Sequence, residues 1–311
     1  MTISGFTMIR NAVNYDFPVV ECITSLLDLV DELVIALGDS SDQTEEIVNS
    51  IQSDKIKIIK TNWDSSKYNK DGQVYANQTD IALKACTGDW CIYLQADEVL
   101  HETAVPIIRE ACQKYLNVPQ VEGFLLRYVH LYADHQHYIH ARHFGYPKEV
   151  RIVRNLPDIH SWRDAQSFRL MPGFDYQNYW QKENTRVLKC ILLKNAFIYH
   201  YGWSRDPRKM VKKKEEQSCM HSGEKIVFKE AYHDYGNLSY LPEFKGSHPA
   251  VMKDKIAAMD WQKYLRYTGE KPQIKKIFAL KYRMLTFIEN TFLPNGNRIF
   301  GFKNYRQIGI F

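Results

Sequence analysis

YLQADEVLHE, residues Tyr93 to Glu102, sets two adjacent carboxylates, Asp97 and Glu98, just past the apolar run Trp90 to Leu94. A short continuous apolar run reads as a buried strand, so the two acids fall at its carboxyl edge, where the chain must turn. A carboxylate fixed there is placed to hold a divalent cation, Mg2+ or Mn2+, against a diphosphate. The same position also suits an aspartate capping the helix that begins near Glu102.

Upstream of this turn, strand and helix signals alternate. Ile3 to Ile9 reads as a first strand, and Val19, Ile23, Leu26, Leu27 and Val30 recur at helical spacing. Leu33 to Leu37 (LVIAL) is a continuous apolar strand, followed by the turn Gly38 to Asp42, whose aspartate can cap a helix from Gln43 with Glu45 closing a capping box. Lys55 to Lys60 is a third strand, and a helix from about Val74 to Ala85 leads into the fourth. The next helix is marked by Val105, Ile108, Cys112 and Tyr115. Short turns between alternating elements imply an α/β fold, an open and mostly parallel Rossmann-like sheet with helices on both faces. Ligands of such sheets bind beyond the carboxyl ends of the strands. Arg10-Asn11, the Gly38 to Asp42 turn and the acidic pair all fall at such ends, so three distant segments point to one nucleotide-binding crevice.

After Val121 the pattern shifts to shorter strands, Gly123 to Val129, Glu149 to Val153 and Ala196 to Tyr201, separated by polar and aromatic loops. Residues 1–205 are therefore expected to form one catalytic domain, with a nucleotide half over about 1–100 and an acceptor half over about 101–205. Residues 206–311 read as a mainly helical extension. A basic amphipathic helix near Gln273 to Phe287, with Ile274, Ile277, Phe278 and Leu285 as its apolar side, suits an anionic membrane surface; core packing or subunit contact explains it equally well.

The chain has 311 residues, 45% of them hydrophobic, and a formal net charge of +5. That is enough to close a sizeable core, and the mild excess of basic residues, concentrated late in the chain, does not call for nucleic acid. The start, MTISGFTMIRN, lacks a basic region followed by a long apolar stretch, so a cytoplasmic location is expected, with contact to the inner membrane face as an option. Six cysteines without a C-x-x-C pair suit reduced thiols. The histidine-rich stretch His130 to His143 fits neither a helical nor a knuckle zinc spacing and reads as a polar aromatic loop lining a groove, where Tyr132, Tyr138 and Tyr146 are able to stack on sugar faces.

Six ordered motifs, FTMIRNA (Phe6 to Ala12), DELVIALGDSSDQTEEIV (Asp31 to Val48), Trp63-Asp64, GDWCIYLQADE (Gly88 to Glu98), VRIVRN (Val150 to Asn155) and YHYGW (Tyr199 to Trp203), resemble the family-2 glycosyltransferases of GT-A fold, particularly the bacterial branch acting on surface polysaccharide or lipopolysaccharide. The resemblance covers roughly the first two thirds of the chain. It implies an inverting, metal-assisted transfer of a sugar from a nucleotide-diphosphate donor to a hydroxyl of a glycan or lipid-linked acceptor. Asp97 matches the second acid of the family's D-x-D motif, a metal ligand, and Gln95 stands where the first acid would contact ribose. Leu37-Gly38 replaces the acidic pair that reads the base, and Thr79-Asp80 replaces an Arg-Asn pair, leaving Asp80 as either a base or ribose acceptor or a solvated helix residue.

The same resemblance implies Asp164, in SWRDAQSFR (Ser161 to Arg169), as general base; the alternative is an ion pair with Arg151, Arg163 or Arg169. His200 corresponds to a late histidine that completes the metal shell, or else is a hydrogen-bonded structural residue. Arg205 follows where a guanidinium can counter charge on a departing diphosphate, whereas Lys212 to Lys214 read as a solvated helix face. Arg10 and Asn11 lie near the expected base, or serve ordinary turn chemistry. Glu98 is either a partner of the metal ligands or a solvated neighbour. Two rival readings are a sugar-phosphate nucleotidyltransferase, which would open with a glycine-rich phosphate loop absent from MIRNAVNYDF, and a degenerate transferase that binds nucleotide or glycan without turnover.

Overall fold

The computed structural model describes the chain except residues 65–67, 69–70, 176–184, 223–225, 273, 275, 294 and 300–302. Strands β1 (Ile3–Ile9), β2 (Glu32–Gly38), β3 (Ile56–Thr61) and β4 (Trp90–Tyr93) alternate with helices α1 (Val19–Leu27), α2 (Thr44–Ser50) and α3 (Gln73–Lys84). These four strands are parallel in the order β3-β2-β1-β4. Every residue of β2 is buried, as its unbroken apolar run demands of a strand covered on both sides.

Side-chain alternation assigns the two faces. Leu33, Ile35 and Leu37 of β2 pack in one core with Cys22, Ile23 and Leu26 of α1 and Ile108 and Cys112 of α4 (Ala104–Lys114). Val34 and Ala36 point to the opposite core, with Ala82 and Leu83 of α3 and with Phe6 and Tyr93. The helices thus cover both faces, as the α/β reading expects. Each buried Val, Leu or Ile side chain in these strands contributes roughly 1.5–3 kcal/mol of burial energy. All six cysteines are free thiols, five of them buried.

Beyond β4 the sheet becomes mixed. β5 (Glu98–Leu100), β6 (Gly123–Ala133), β7 (Lys148–Arg154), β8 (Ile159–Trp162), β9 (Ser167–Leu170) and the 19-residue β10 (Arg186–Ser204) extend it in the order β4-β7-β6-β10-β9-β8. β5 pairs antiparallel with β10, placing Glu98 opposite His200, and β6 pairs parallel with β10, placing His130 opposite the same histidine.

Residues 206–311, expected as a mainly helical extension, supply α5 (Pro207–Ser222), α6 (Lys253–Ala257), α7 (Leu280–Phe292) and a last strand, β11 (Tyr305–Ile310), which joins the sheet beside β10. The basic helix expected from Gln273 begins only at Leu280; Gln273 and Lys275 lie outside the described residues. Its expected apolar side is also different. Ile277 is buried against Tyr132 and Trp261, while Leu280, Met284 and Phe287 stand 72%, 56% and 65% exposed. Among the described residues no helix is long and apolar enough to cross a membrane.

Candidate active site

The strand order reverses between β1 and β4, and the crevice at their carboxyl ends is where a doubly wound sheet binds ligand. A cavity of about 310 Å3 occupies it, lined among others by Arg10, Trp63, Tyr75, Gln95, Asp97, His130, Tyr146, Asp164, His200 and Lys213. One wall is α5. Its Glu216 pairs with Arg10 at 2.8 Å, and the carbonyls of Met220 and His221 accept from Gly72 and Asp71 just ahead of α3.

Asp97 faces this cavity and is 8% exposed. Its backbone is held by Tyr201, whose N–H donates to the Asp97 carbonyl at 2.8 Å. The carboxylate Oδ2 accepts from Lys213 Nζ at 2.9 Å, with Arg205 Nη2 at 3.6 Å and His200 Nε2 at 3.7 Å. Burial pushes the carboxyl upward, but the charges of Lys213 and Arg205 outweigh it and hold Asp97 well below the usual carboxylate range. Burial, joined by Arg205, brings Lys213 down to about 8.

The histidine pair has a definite tautomer. His130 Nε2 lies 2.7 Å from the Tyr146 carbonyl, which only accepts, so Nε2 carries the proton. Neutral His130 then accepts at Nδ1 from His200 Nδ1 at 3.0 Å, leaving His200 Nε2 bare toward Asp97. Burial lowers both rings, His130 to about 4 and His200 to about 3, which keeps them neutral. Two glycines make the packing possible. A Cβ on Gly202 would lie 2.2 Å from His200 Nε2 and 2.9 Å from Asp97 Oδ2, and Gly145, at φ +60, would meet the His130 ring at 2.6 Å.

Asp97 and His200 were expected to hold Mn2+ or Mg2+. They offer two donors, the oxygen of one is already shared by an ammonium, and among the described residues no three His, Cys, Asp or Glu side chains converge as a ligand set. Such an ion is ordinarily held by one or two carboxylates together with substrate phosphates. Here the carboxylate expected to do so already carries the Lys213 ammonium at 2.9 Å, so the described side chains do not fit that arrangement.

The remaining expected residues separate into those that line the cavity and those that brace it. Gln95 lines it, and its amide Nε2 reaches the Ala165 carbonyl at 3.5 Å, a bond to which a carboxylate could not donate. Asp164 lines it as well, between Arg163 and Ala165 at φ 58 and 62, left-handed positions of the kind that gather at functional turns. Of its three suggested ion-pair partners, Arg151 is paired with Glu98 and Arg169 lies over Trp162; Asp164 itself forms no ion pair among the described residues. Arg10 lies over Trp63 and also pairs with Asp39 at 3.2 Å.

Asn11, by contrast, is spent on the turn after β2, its Oδ1 accepting from Ser41 N at 2.8 Å. Asp80 ties α3 to β8 through Ser161 N at 2.6 Å and His160 Nδ1 at 2.8 Å. Neither lines the cavity. Arg205 is fully buried behind Asp97, donating to the Tyr15 and Tyr201 carbonyls, so it positions the carboxylate rather than meeting a ligand. Glu98 is neither solvated nor a cavity residue. It is fully buried in an ion pair with Arg151 at 3.0 Å, accepts from Tyr128 OH at 2.8 Å, and pins the turn through Gln95 N at 3.1 Å. Asp42 accepts from Thr44 N at 3.1 Å at the start of α2, while Glu45 pairs with Lys60 instead of closing a capping box.

Lys213 is the correction of most consequence, since the solvated face expected of Lys212 to Lys214 is broken by a half-buried, site-facing ammonium. The signal was the stripe Met210, Lys213, Gln217 and His221, all cavity residues at spacings of three and four, hidden within a basic run. Trp63 explains the missing acids after β2. A Cβ on Gly38 would lie 2.4 Å from its Nε1, so the indole occupies the space that a larger residue there would need, with its N–H buried and without a partner among the described residues.

Residues 13–120, from the loop after β1 to just past α4, match the family model described as glycosyl transferase family 2. A TPR repeat-containing protein of Synechococcus elongatus is 29% identical over 185 residues, 60% of this chain, and the chain spans only 39% of that relative. Among solved structures, S. aureus TarS 1-349 in complex with UDP-GlcNAc is similar at 14% identity and a TM-score of 0.40, over 71% of this chain and 66% of that one. Glucosyl-3-phosphoglycerate synthase from Mycobacterium tuberculosis, in complex with Mn2+, UDP and phosphoglyceric acid, is similar at 17% identity and a TM-score of 0.25, over 42% of this chain and 43% of that one.

Proposed function

We propose that this chain is a glycosyltransferase that moves a sugar from a nucleotide-diphosphate donor to a hydroxyl of a glycan or lipid-linked acceptor, with inversion. What supports the reading most is that Gln95 and Asp97, Asp164, and Lys213, from three separate segments, line one cavity at the strand-order reversal. The family-2 match over residues 13–120 supports the donor half. In this reading the base rests toward Arg10, Trp63 and Tyr75, and the ribose near Gln95. Asp164 takes the proton of the acceptor hydroxyl as its oxygen bonds the anomeric carbon; the bond to the diphosphate breaks, and its electron pair leaves with the phosphate. Residues 1–205 then supply the sheet's catalytic face, which α5 completes with Lys213. The later residues add the α5 wall and an apolar stripe on α7 that rests on the cytoplasmic membrane face beside a lipid-linked acceptor.

A panel of nucleotide sugars assayed for nucleotide release with glycan or lipid acceptors tests this reading. Release with at least one donor is expected, and Asp164→Asn should lower kcat by about 10²–10⁴-fold with the nucleotide Kd nearly unchanged. Donor binding without turnover in any combination would favour a nucleotide-binding protein.

A further inference from the structure

We propose that Lys213 supplies the positive charge that faces the donor's diphosphate, so that this chain binds a nucleoside diphosphate without a divalent cation. The inference rests on the nucleotide-sugar reading above and concerns how its anion is held.

An ammonium has three N–H donors. Lys213 spends one on Asp97 Oδ2 and one on the Gly202 carbonyl, each at 2.9 Å, which leaves a third for a ligand in the cavity that it lines. Asp97 is the carboxylate in reach, and it faces two cations, Lys213 and, behind it, Arg205 at 3.6 Å. The formal charges of Asp97, Lys213 and Arg205 sum to +1, and of the other charged residues lining the cavity Arg10 and Glu216 pair with each other, which leaves Asp164. An ammonium held in place beside the diphosphate needs no reorganisation to receive it. The same cluster does not invite a free divalent cation, which would meet an ammonium on the carboxylate oxygen that it needs.

The arrangement is built rather than incidental. Lys213 stands on the cavity stripe of α5, the helix is fastened by Glu216 to Arg10, and Gly202 has no Cβ to crowd His200 and Asp97. Asp97 acts here as the anchor that fixes the ammonium in place, and Arg205 as the buried charge that keeps Asp97 ionised.

Calorimetric titration of the full chain with UDP, GDP, CDP, ADP and dTDP, once with excess EDTA and once with Mn2+, tests the proposal. At least one nucleotide is expected to bind in EDTA with a Kd within about threefold of its value in Mn2+. Lys213→Met should weaken binding in EDTA by at least about tenfold, and Lys213→Arg should restore most of it. If Lys213→Met does not fold by circular dichroism, Lys213→Gln takes its place in the same comparison. Binding that requires Mn2+ overturns the inference and leaves the transferase reading standing. Undiminished binding by the uncharged variant in EDTA also overturns it. Absence of binding in both buffers sinks the transferase reading itself.

Discussion

Gly202 shows how closely the site is drawn at single residues. A Cβ there would press into both His200 Nε2 and Asp97 Oδ2, and overpacking of this kind costs about 1–3 kcal/mol. Gly202→Ala is therefore expected to lower the melting temperature by several degrees and to weaken nucleoside diphosphate binding, read by thermal shift and calorimetry on the same preparation. A variant binding as tightly as the parent would show that the histidine and carboxylate need not be so close. The sequence made Asp97 legible because strand period, turn and acidic pair coincide there. Gln95 and Asp164 were legible through motif order. Lys213 was not, because a lysine in a run of lysines looks solvated until the opposite wall is known, and the wall is supplied by β10 and the turn after β4. Asn11 and Asp80 carried the right chemistry for ligand contact, but the turn after β2 takes up the Asn11 amide oxygen and β8 takes up the Asp80 carboxylate on α3.

At the scale of elements, the βα alternation of the first hundred residues was readable because β2 and β4 are continuous apolar runs, β3 interleaves lysine with isoleucine, and the helices between them each have a covered face. β10 was recognised only over Ala196 to Tyr201. Its earlier part carries Arg186, Lys189 and Lys194, charges that an isolated strand would not bury, and it persists because β6, β9, β5 and β11 pair with successive portions of it. β11, with its YRQIGI alternation, lay in a stretch expected to be mainly helical. At α7 the helical reading holds only from Leu280 and the face was wrong, since Ile277, ahead of the helix, is drawn inward and Leu280, Met284 and Phe287 are left outward, flanked by exposed Lys281 and Arg283. Flotation with anionic liposomes should recover the protein with the lipid, and a triple change of Leu280, Met284 and Phe287 to Ser should abolish recovery while leaving the melting temperature within about 1–2 °C. Equal flotation of both proteins would remove α7 from any role at a membrane.

Across the whole molecule, buried neutral histidines set the response to acid. Burial lowers His130 and His135 to about 4, against roughly 6.5 in the unfolded chain. Between those values the unfolded chain binds more protons, so stability falls as pH falls through that window, by up to about 1–2 kcal/mol for each ring between pH 7 and 5. Thermal melts should therefore move down by several degrees over that interval, and a flat profile would mean that the rings are protonated or solvated in the folded protein. A different constraint follows from the sealed pair of Glu98 and Arg151, both at 0% side-chain exposure. Deleting one partner of such a pair costs about 3–5 kcal/mol, while replacing both with well-packed apolar residues can be neutral. Natural variation at these two positions must then move in concert: a descendant that drifts at one alone is crippled before the second change arrives, so lineages will retain the couple intact or have exchanged it whole.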